Sequence, residues 1–244
     1  MITGIMLFDD STDVANVRET VGSLTTSSSN VEWNIALIAG GEEAFGKVED
    51  ILCPHSLAEY PTDMNVEEVY NEMMARSLGS DVFCICKPDL HMNSDKWDDE
   101  VEFVLSNSGR VGLLAANTEH ESLCQIVPGL GYDARFRIGN IQTPQGVVSV
   151  DLAPGPLPIR GDMLFIPQRT FEMLGFFSGG YLDPEGYVVD YCWRLAMTGL
   201  FKGYLPSLNL VRRTEEPDMS LLTEYNADFI EKVQRRYEDF YVGE

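Results

Sequence analysis

Residues 71–91 read NEMMARSLGSDVFCICKPDLH, and the succession of patterns in that stretch sets the architecture. Val66, Val69, Tyr70, Met73, Met74 and Ser77 recur at the three- and four-residue spacing of a helix face, and Gly79 stops the run. The VFCIC of residues 82–86 follows at once, an unbroken apolar segment of the kind that forms a strand covered on both faces. It closes on Lys87-Pro88-Asp89-Leu90-His91, whose Pro-Asp pair belongs to a turn. A buried helix face, a buried strand and a polar loop in immediate succession are the unit of an α/β sheet.

The same rhythm extends outward. Residues 2–8 (ITGIMLF) form a compact apolar run ending at Asp9, Asp10 and Ser11, followed by Val14, Val17, Val21 and Leu24 at helical spacing. Residues 33–39 (WNIALIA) give a second strand closed by Gly40-Gly41, and residues 51–53 a third, shorter one. Four strands interleaved with helices over the first 90 residues predict a largely parallel sheet flanked by helices. Further on, residues 97–105 predict a helix whose acidic opening, Asp95, Asp98 and Asp99, suits the positive end of its dipole. Residues 111–116 predict a strand, and residues 135–141 and 147–152 a hairpin around Thr143-Pro144-Gln145-Gly146. A strand over 163–166, helices over 169–174 and 188–197, and a long closing helix over 221–241 complete the reading. The Pro-rich 153–158 segment is a stiff connector between apolar neighbours, so residues 1–244 are taken as one domain. Its parts are a nucleotide-binding half (1–90), an acceptor half (91–215) and the C-terminal helix (216–244).

Composition narrows the partners. The chain carries 39 Asp and Glu against 17 Lys and Arg, a formal net charge of -22, so its field repels a phosphate polymer and an anionic membrane surface alike. No nucleic-acid partner and no membrane insertion are expected. The N-terminus lacks a basic segment before its short apolar run, which reads as a cytoplasmic chain. Five cysteines without a CxxC pair read as reduced core thiols, with Cys84 and Cys86 on one face of their strand.

In open α/β sheets ligands bind beyond the carboxyl ends of the strands. The residues there are Asp9, Asp10 and Ser11, then Gly40, Gly41 and Glu42, then Lys87 to His91. Asp89 and His91, one residue apart, let a carboxylate oxygen and an imidazole nitrogen approach one Mn²⁺ or Mg²⁺ whose other sites hold phosphate oxygens and water. The plainer reading of the same residues is a surface turn.

Residues 71–89 resemble the stretch of family 2 glycosyltransferases in which an Asn-bearing helix leads into a strand ending in an acidic metal and nucleotide-diphosphate motif of the GT-A fold. In that resemblance Asn65 and Asn71 match the helix-side asparagines and Asp89 the metal-binding aspartate. His91 makes a D-x-H variant similar to that of polypeptide GalNAc-transferases. Residues 161–177 (GDMLFIPQRTFEMLGFF) are similar to the family's strand-helix segment with R-x-x-F and G-x-F, and Asp190, Arg194 and Gly199 to its D-L-x-x-R-x-x-x-x-G.

The resemblance implies a GT-A-like, metal-dependent, inverting transferase that moves a hexosyl or deoxyhexosyl unit from a nucleoside-diphosphate sugar to a glycan or other hydroxyl acceptor. Asp89 and His91 would hold the metal, and Asp9, Glu42, Asn71, Lys87, Asp89 and Arg194 would contact the sugar nucleotide. Such a reaction needs a carboxylate to take the acceptor's proton. Asp190 is the first choice, with Asp183 and Glu185 behind it and Arg194 orienting Asp190 from one helical turn away. The plainer reading makes Asp190 and Arg194 an ordinary i,i+4 ion pair. The few cations Lys87, Arg160, Arg169, Arg194, Arg212 and Arg213 are the candidates for diphosphate contacts. Tyr187 and Val188 stand where the family's usual acidic pair falls, and Ala39-Gly40 where it has an acid after the second strand. Those departures support the alternative of a non-catalytic sugar- or protein-binding relative on the same scaffold.

Overall fold

A computed structural model describes residues 1–9, 12–38, 55–116, 137–143, 146–153, 159, 162–180, 186–205, 207–208 and 210–212. The strands are β1 (Ile2–Asp9), β2 (Val31–Ile38), β3 (His55–Tyr60), β4 (Val82–Cys86), β5 (Leu90–Met92), β6 (Val111–Ala116), β7 (Arg137–Thr143), β8 (Gly146–Ala153), β9 (Met163–Pro167), β10 (Phe201–Tyr204) and β11 (Leu210–Arg212). The helices are α1 (Val14–Thr26), α2 (Val66–Arg76), α3 (Trp97–Asn107), α4 (Gln168–Leu174) and α5 (Gly186–Met197).

Among the described residues nine strands form one sheet in the order β3-β2-β1-β4-β9-β6-β10-β8-β7. The first four are parallel, as is the β6–β10 pair. β9 runs antiparallel between β4 and β6, and β7 and β8 form the expected hairpin. The direction of β9 is the main addition to the sequence reading.

Unbroken apolar strands are explained by helices on both faces. Val82, Cys84 and Cys86 face one layer with α1 and α3, where Val17, Val21, Leu24, Trp97, Val101 and Val104 meet them. Phe83 and Ile85 face the other, with Val69, Met73 and Met74 of α2 and Tyr191 and Leu195 of α5. Cys84 and Cys86 therefore share a face as expected, and burial pushes both thiols above their ordinary value. Gly4 in β1 is required by packing: a Cβ there would meet Cε3 of the Trp33 indole at 2.4 Å.

Several elements differ from the sequence reading. β3 carries His55, Ser56 and Glu59 on an edge strand, where polar side chains break the apolar run that marks inner strands. β5, β10 and β11 are three or four residues long, too short to show a period. Asp98 does more than oppose a dipole: buried, it accepts from the backbone N–H of Ser29 at 2.8 Å and of Asn30 at 2.9 Å, tying α3 to the turn before β2. The expected strand at 51–53 and the helix at 221–241 lie outside the described residues.

Candidate functional site

The sheet reverses its order between β1 and β4. The chain builds β1, β2 and β3 in one direction and then returns to place β4 on the other side of β1. The carboxyl ends of β1 and β4 lie side by side there, at the edge where open α/β sheets form a ligand crevice. Asp9 ends β1, opposite Ile38 of β2, and Lys87-Pro88-Asp89 follows β4. The described part of Asp9 is its backbone.

Helix α1 fixes the post-β4 turn. Thr20 Oγ1 donates to the Pro88 carbonyl at 2.9 Å, and Ser23 Oγ accepts from Met92 N–H at 3.2 Å. The turn runs into β5, whose His91 pairs with Val211 of β11 while Arg212 pairs with Leu90. Leu90 and Met92 are buried in the α1 layer, so the pleat directs His91 to the opposite side. Asp89 is 8% exposed, and His91 Nδ1 is buried with no hydrogen-bond partner among the described residues. A buried imidazole nitrogen without a partner is costly unless a ligand or water satisfies it. A carboxylate oxygen and an imidazole nitrogen one residue apart on a pinned turn are donor types that suit Mn²⁺, and less strictly Mg²⁺, with phosphate oxygens and water filling the remaining positions. Among the described residues no third His, Cys, Asp or Glu joins them in a cluster that could hold an ion.

Lys87 stands at the same edge. Its N–H donates to the Asp162 carbonyl at 3.0 Å, and its Nζ lies 3.3 Å from Asp162 Oδ1. The sequence reading gave Asp162 no role, because the contact exists only through the antiparallel placement of β9.

The other expected site residues are used differently. Asn71 donates from Nδ2 to the Phe177 carbonyl at 2.9 Å and accepts Phe177 N–H at 2.8 Å, so both ends of its amide clamp the segment after α4 to α2. Asp190 is fully buried, and Arg194 Nε donates to its Oδ2 at 2.8 Å. Arg194 also donates to the carbonyls of Leu174 at 2.7 Å and Phe176 at 2.9 Å, and its guanidinium lies over the Tyr191 ring. A general base must reach the acceptor hydroxyl; in this structure Asp190 instead anchors α5 to the segment after α4. The plainer reading of that pair is the one its geometry favours, and Arg194 is committed to protein carbonyls instead of a diphosphate. Arg169 donates to the carbonyls of Ser108 and Val111 at the amino end of β6, the edge opposite the crevice. Tyr187 and Val188 are core residues, Tyr187 stacking edge-on against Phe177 with centroids 4.9 Å apart. Glu42, Asp183, Glu185, Arg160 and Arg213, with the side chain of Arg212, lie outside the described residues.

Solved structures share this fold. Over 99% of its length the chain is similar to GalNAc-T7, crystallised with UDP, GalNAc and Mn²⁺, at a TM-score of 0.62 and 11% identity, covering 50% of that chain. Over 96% of its length it is similar to the mannosyltransferase PcManGT from Pyrobaculum calidifontis, in complex with GDP-Man and Mn²⁺, at a TM-score of 0.63 and 12% identity, covering 64% of that chain. The fold is GT-A-like. This chain thus spans between half and two thirds of the length of these two structures. No family model and no curated protein matches the sequence. Among the described residues no helix of the GT-A-like domain is long and apolar enough to cross a membrane.

Proposed function

We propose that this chain is a glycosyltransferase, related to family 2, that transfers a hexosyl or deoxyhexosyl unit from a nucleoside-diphosphate sugar to a glycan or other hydroxyl acceptor with inversion. The observation that carries the reading is the pinned turn holding Asp89 and the unpartnered His91 Nδ1 at the carboxyl edge, where the sheet reverses. The crystallised neighbours with UDP or GDP-Man and Mn²⁺ on the same fold support it.

In this reading Asp89 and His91 would hold Mn²⁺ or Mg²⁺, and the chemistry the ion would supply when bound is Lewis-acid neutralisation of the leaving diphosphate. Lys87 meets a diphosphate oxygen, and the end of β1 with Asp9 forms the facing wall of the crevice. With Asp190 committed to Arg194, the proton of the acceptor hydroxyl passes to Asp183 or Glu185, the carboxylates just before α5. The protein acts in the cytoplasm, in keeping with the free thiols of Cys84, Cys86 and Cys192.

A thermal-shift panel of UDP-, GDP- and dTDP-sugars with and without Mn²⁺ tests the reading. One sugar nucleotide stabilises the chain only with metal and is then hydrolysed slowly; no stabilisation by any of them overturns it. The burial of Tyr187 and Val188, where the family's acidic pair is expected, favours a second reading as a non-catalytic sugar-binding relative. Metal-dependent stabilisation without turnover in any acceptor screen selects that one.

A further inference from the structure

We propose that Asp162 is a positioning residue for Lys87, holding its ammonium at the carboxyl edge so that it meets the donor's diphosphate; the inference rests on the glycosyltransferase reading above. The strand order creates the contact. Because β9 is antiparallel to its neighbours, Met163, its first residue, pairs with the last residues of β4 and β6, Cys86 and Ala116. Asp162, one residue earlier, is thereby delivered to the carboxyl edge, although α4 and the rest of β9 lead away from it. The Lys87 N–H to Asp162 carbonyl bond extends the β4–β9 ladder one residue past its last strand pair and fixes the point from which each side chain departs.

The side chains differ in burial. Asp162 is 11% exposed and Lys87 29%, so the carboxylate is the more enclosed partner and the ammonium the more open one. An ammonium carries three N–H donors and can hold a carboxylate and a phosphate oxygen together. Lys is a flexible four-carbon stem, and confining it when a ligand arrives costs rotamer entropy. A partner that already confines it moves that cost from binding to folding, which is preorganisation. The carboxylate's own charge opposes an anionic ligand, so two effects compete. Positioning predicts that Asp162→Asn weakens binding, whereas repulsion alone predicts that it tightens binding.

The test is calorimetric titration of UDP, GDP and dTDP, each with Mn²⁺, into the full chain and its variants. Lys87→Met is expected to weaken the nucleotide that binds by roughly tenfold or more, the size of a lost charge-assisted hydrogen bond. Asp162→Asn is expected to weaken it by roughly three- to tenfold, Asp162→Glu to recover part of the loss, and Asp162→Asn in the Lys87→Met background to add nothing. In turnover, both single variants raise KM for the sugar nucleotide more than they lower kcat. A merely structural aspartate would move the melting temperature without this dependence on Lys87. Unchanged or tighter binding by Asp162→Asn, or losses that multiply in the double variant, overturns the inference while leaving the glycosyltransferase reading intact. If the wild-type chain binds none of the three with Mn²⁺, both fall. Should Asp162→Asn not fold, Asp162→Ser takes its place in the same cycle.

Discussion

Two acid–base pairs in this protein have the same chemistry and opposite surroundings. Asp190 and Arg194 lie one helical turn apart, with the carboxylate fully buried and the guanidinium tied to two backbone carbonyls. Lys87 and Asp162 come from distant parts of the chain and meet at the carboxyl edge of the sheet, both partly open to water. A buried pair whose hydrogen bonds all go to protein groups holds elements together, and breaking it strands a charge. A pair at a rim can trade partners with a ligand. Burial and partners, and not the residue types, separate a pair that only holds elements together from one that a ligand can still reach.

The largest effect expected is at the rim. Asp89→Ala abolishes Mn²⁺-supported hydrolysis of the sugar nucleotide, as EDTA does in the wild type; activity persisting in that variant with EDTA present removes the metal from the site. Beneath the rim, the thiols of Cys84, Cys86 and Cys192 are held protonated by burial, above their ordinary value of 9.0. Their folded-state affinity for the proton exceeds the unfolded one. Stability is therefore full below pH 9 and falls as pH rises above it, by roughly 1 kcal/mol per thiol for each pH unit. Thermal melts from pH 7 to 10.5 measure this, and a flat profile means that the thiols are not sealed. In the scaffold pair, Arg194→Met is expected to cost about 3 kcal/mol, the low end for a buried pair because Arg194 is 21% exposed. That lowers the melting temperature by roughly 6–12 °C while leaving nucleotide affinity unchanged. A variant with wild-type stability and lost turnover would return Asp190 and Arg194 to the chemistry. Asn71→Ala removes two hydrogen bonds to the Phe177 backbone and is expected to cost about 2 kcal/mol in urea unfolding, again without loss of metal-dependent binding. The smallest effect belongs to the exposed Glu72–Arg76 pair on α2, where Glu72→Ala changes stability by less than about 0.5 kcal/mol.

Much of the fold was legible because its signals are local. The apolar run at 82–86, the helical stripe before it and the Gly175 and Gly199 stops, both at positive φ, each depend on a few neighbouring residues. The turn with Asp89 and His91 was legible for the same reason, since two donors one residue apart need no distant partner. Asn71 and Arg194, which the resemblance places against the sugar nucleotide, bond to protein backbone for a physical reason. An amide or a guanidinium satisfies protein carbonyls as well as phosphate or ribose oxygens, and only the tertiary neighbours decide between them.

The sequence by itself determined the α/β class, the two apolar faces of the inner strands and the turn with Asp89 and His91 after the fourth strand, because periodicity and spacing record which side of an element meets the core. Only the tertiary structure decided that β9 runs against its neighbours, that Asp162 therefore stands beside Lys87, and that Asp190 is sealed against Arg194. Strand direction and pairing are properties of the whole sheet. An apolar strand has the same pattern read from either end, so its direction, and every contact that direction creates, is absent from the local sequence.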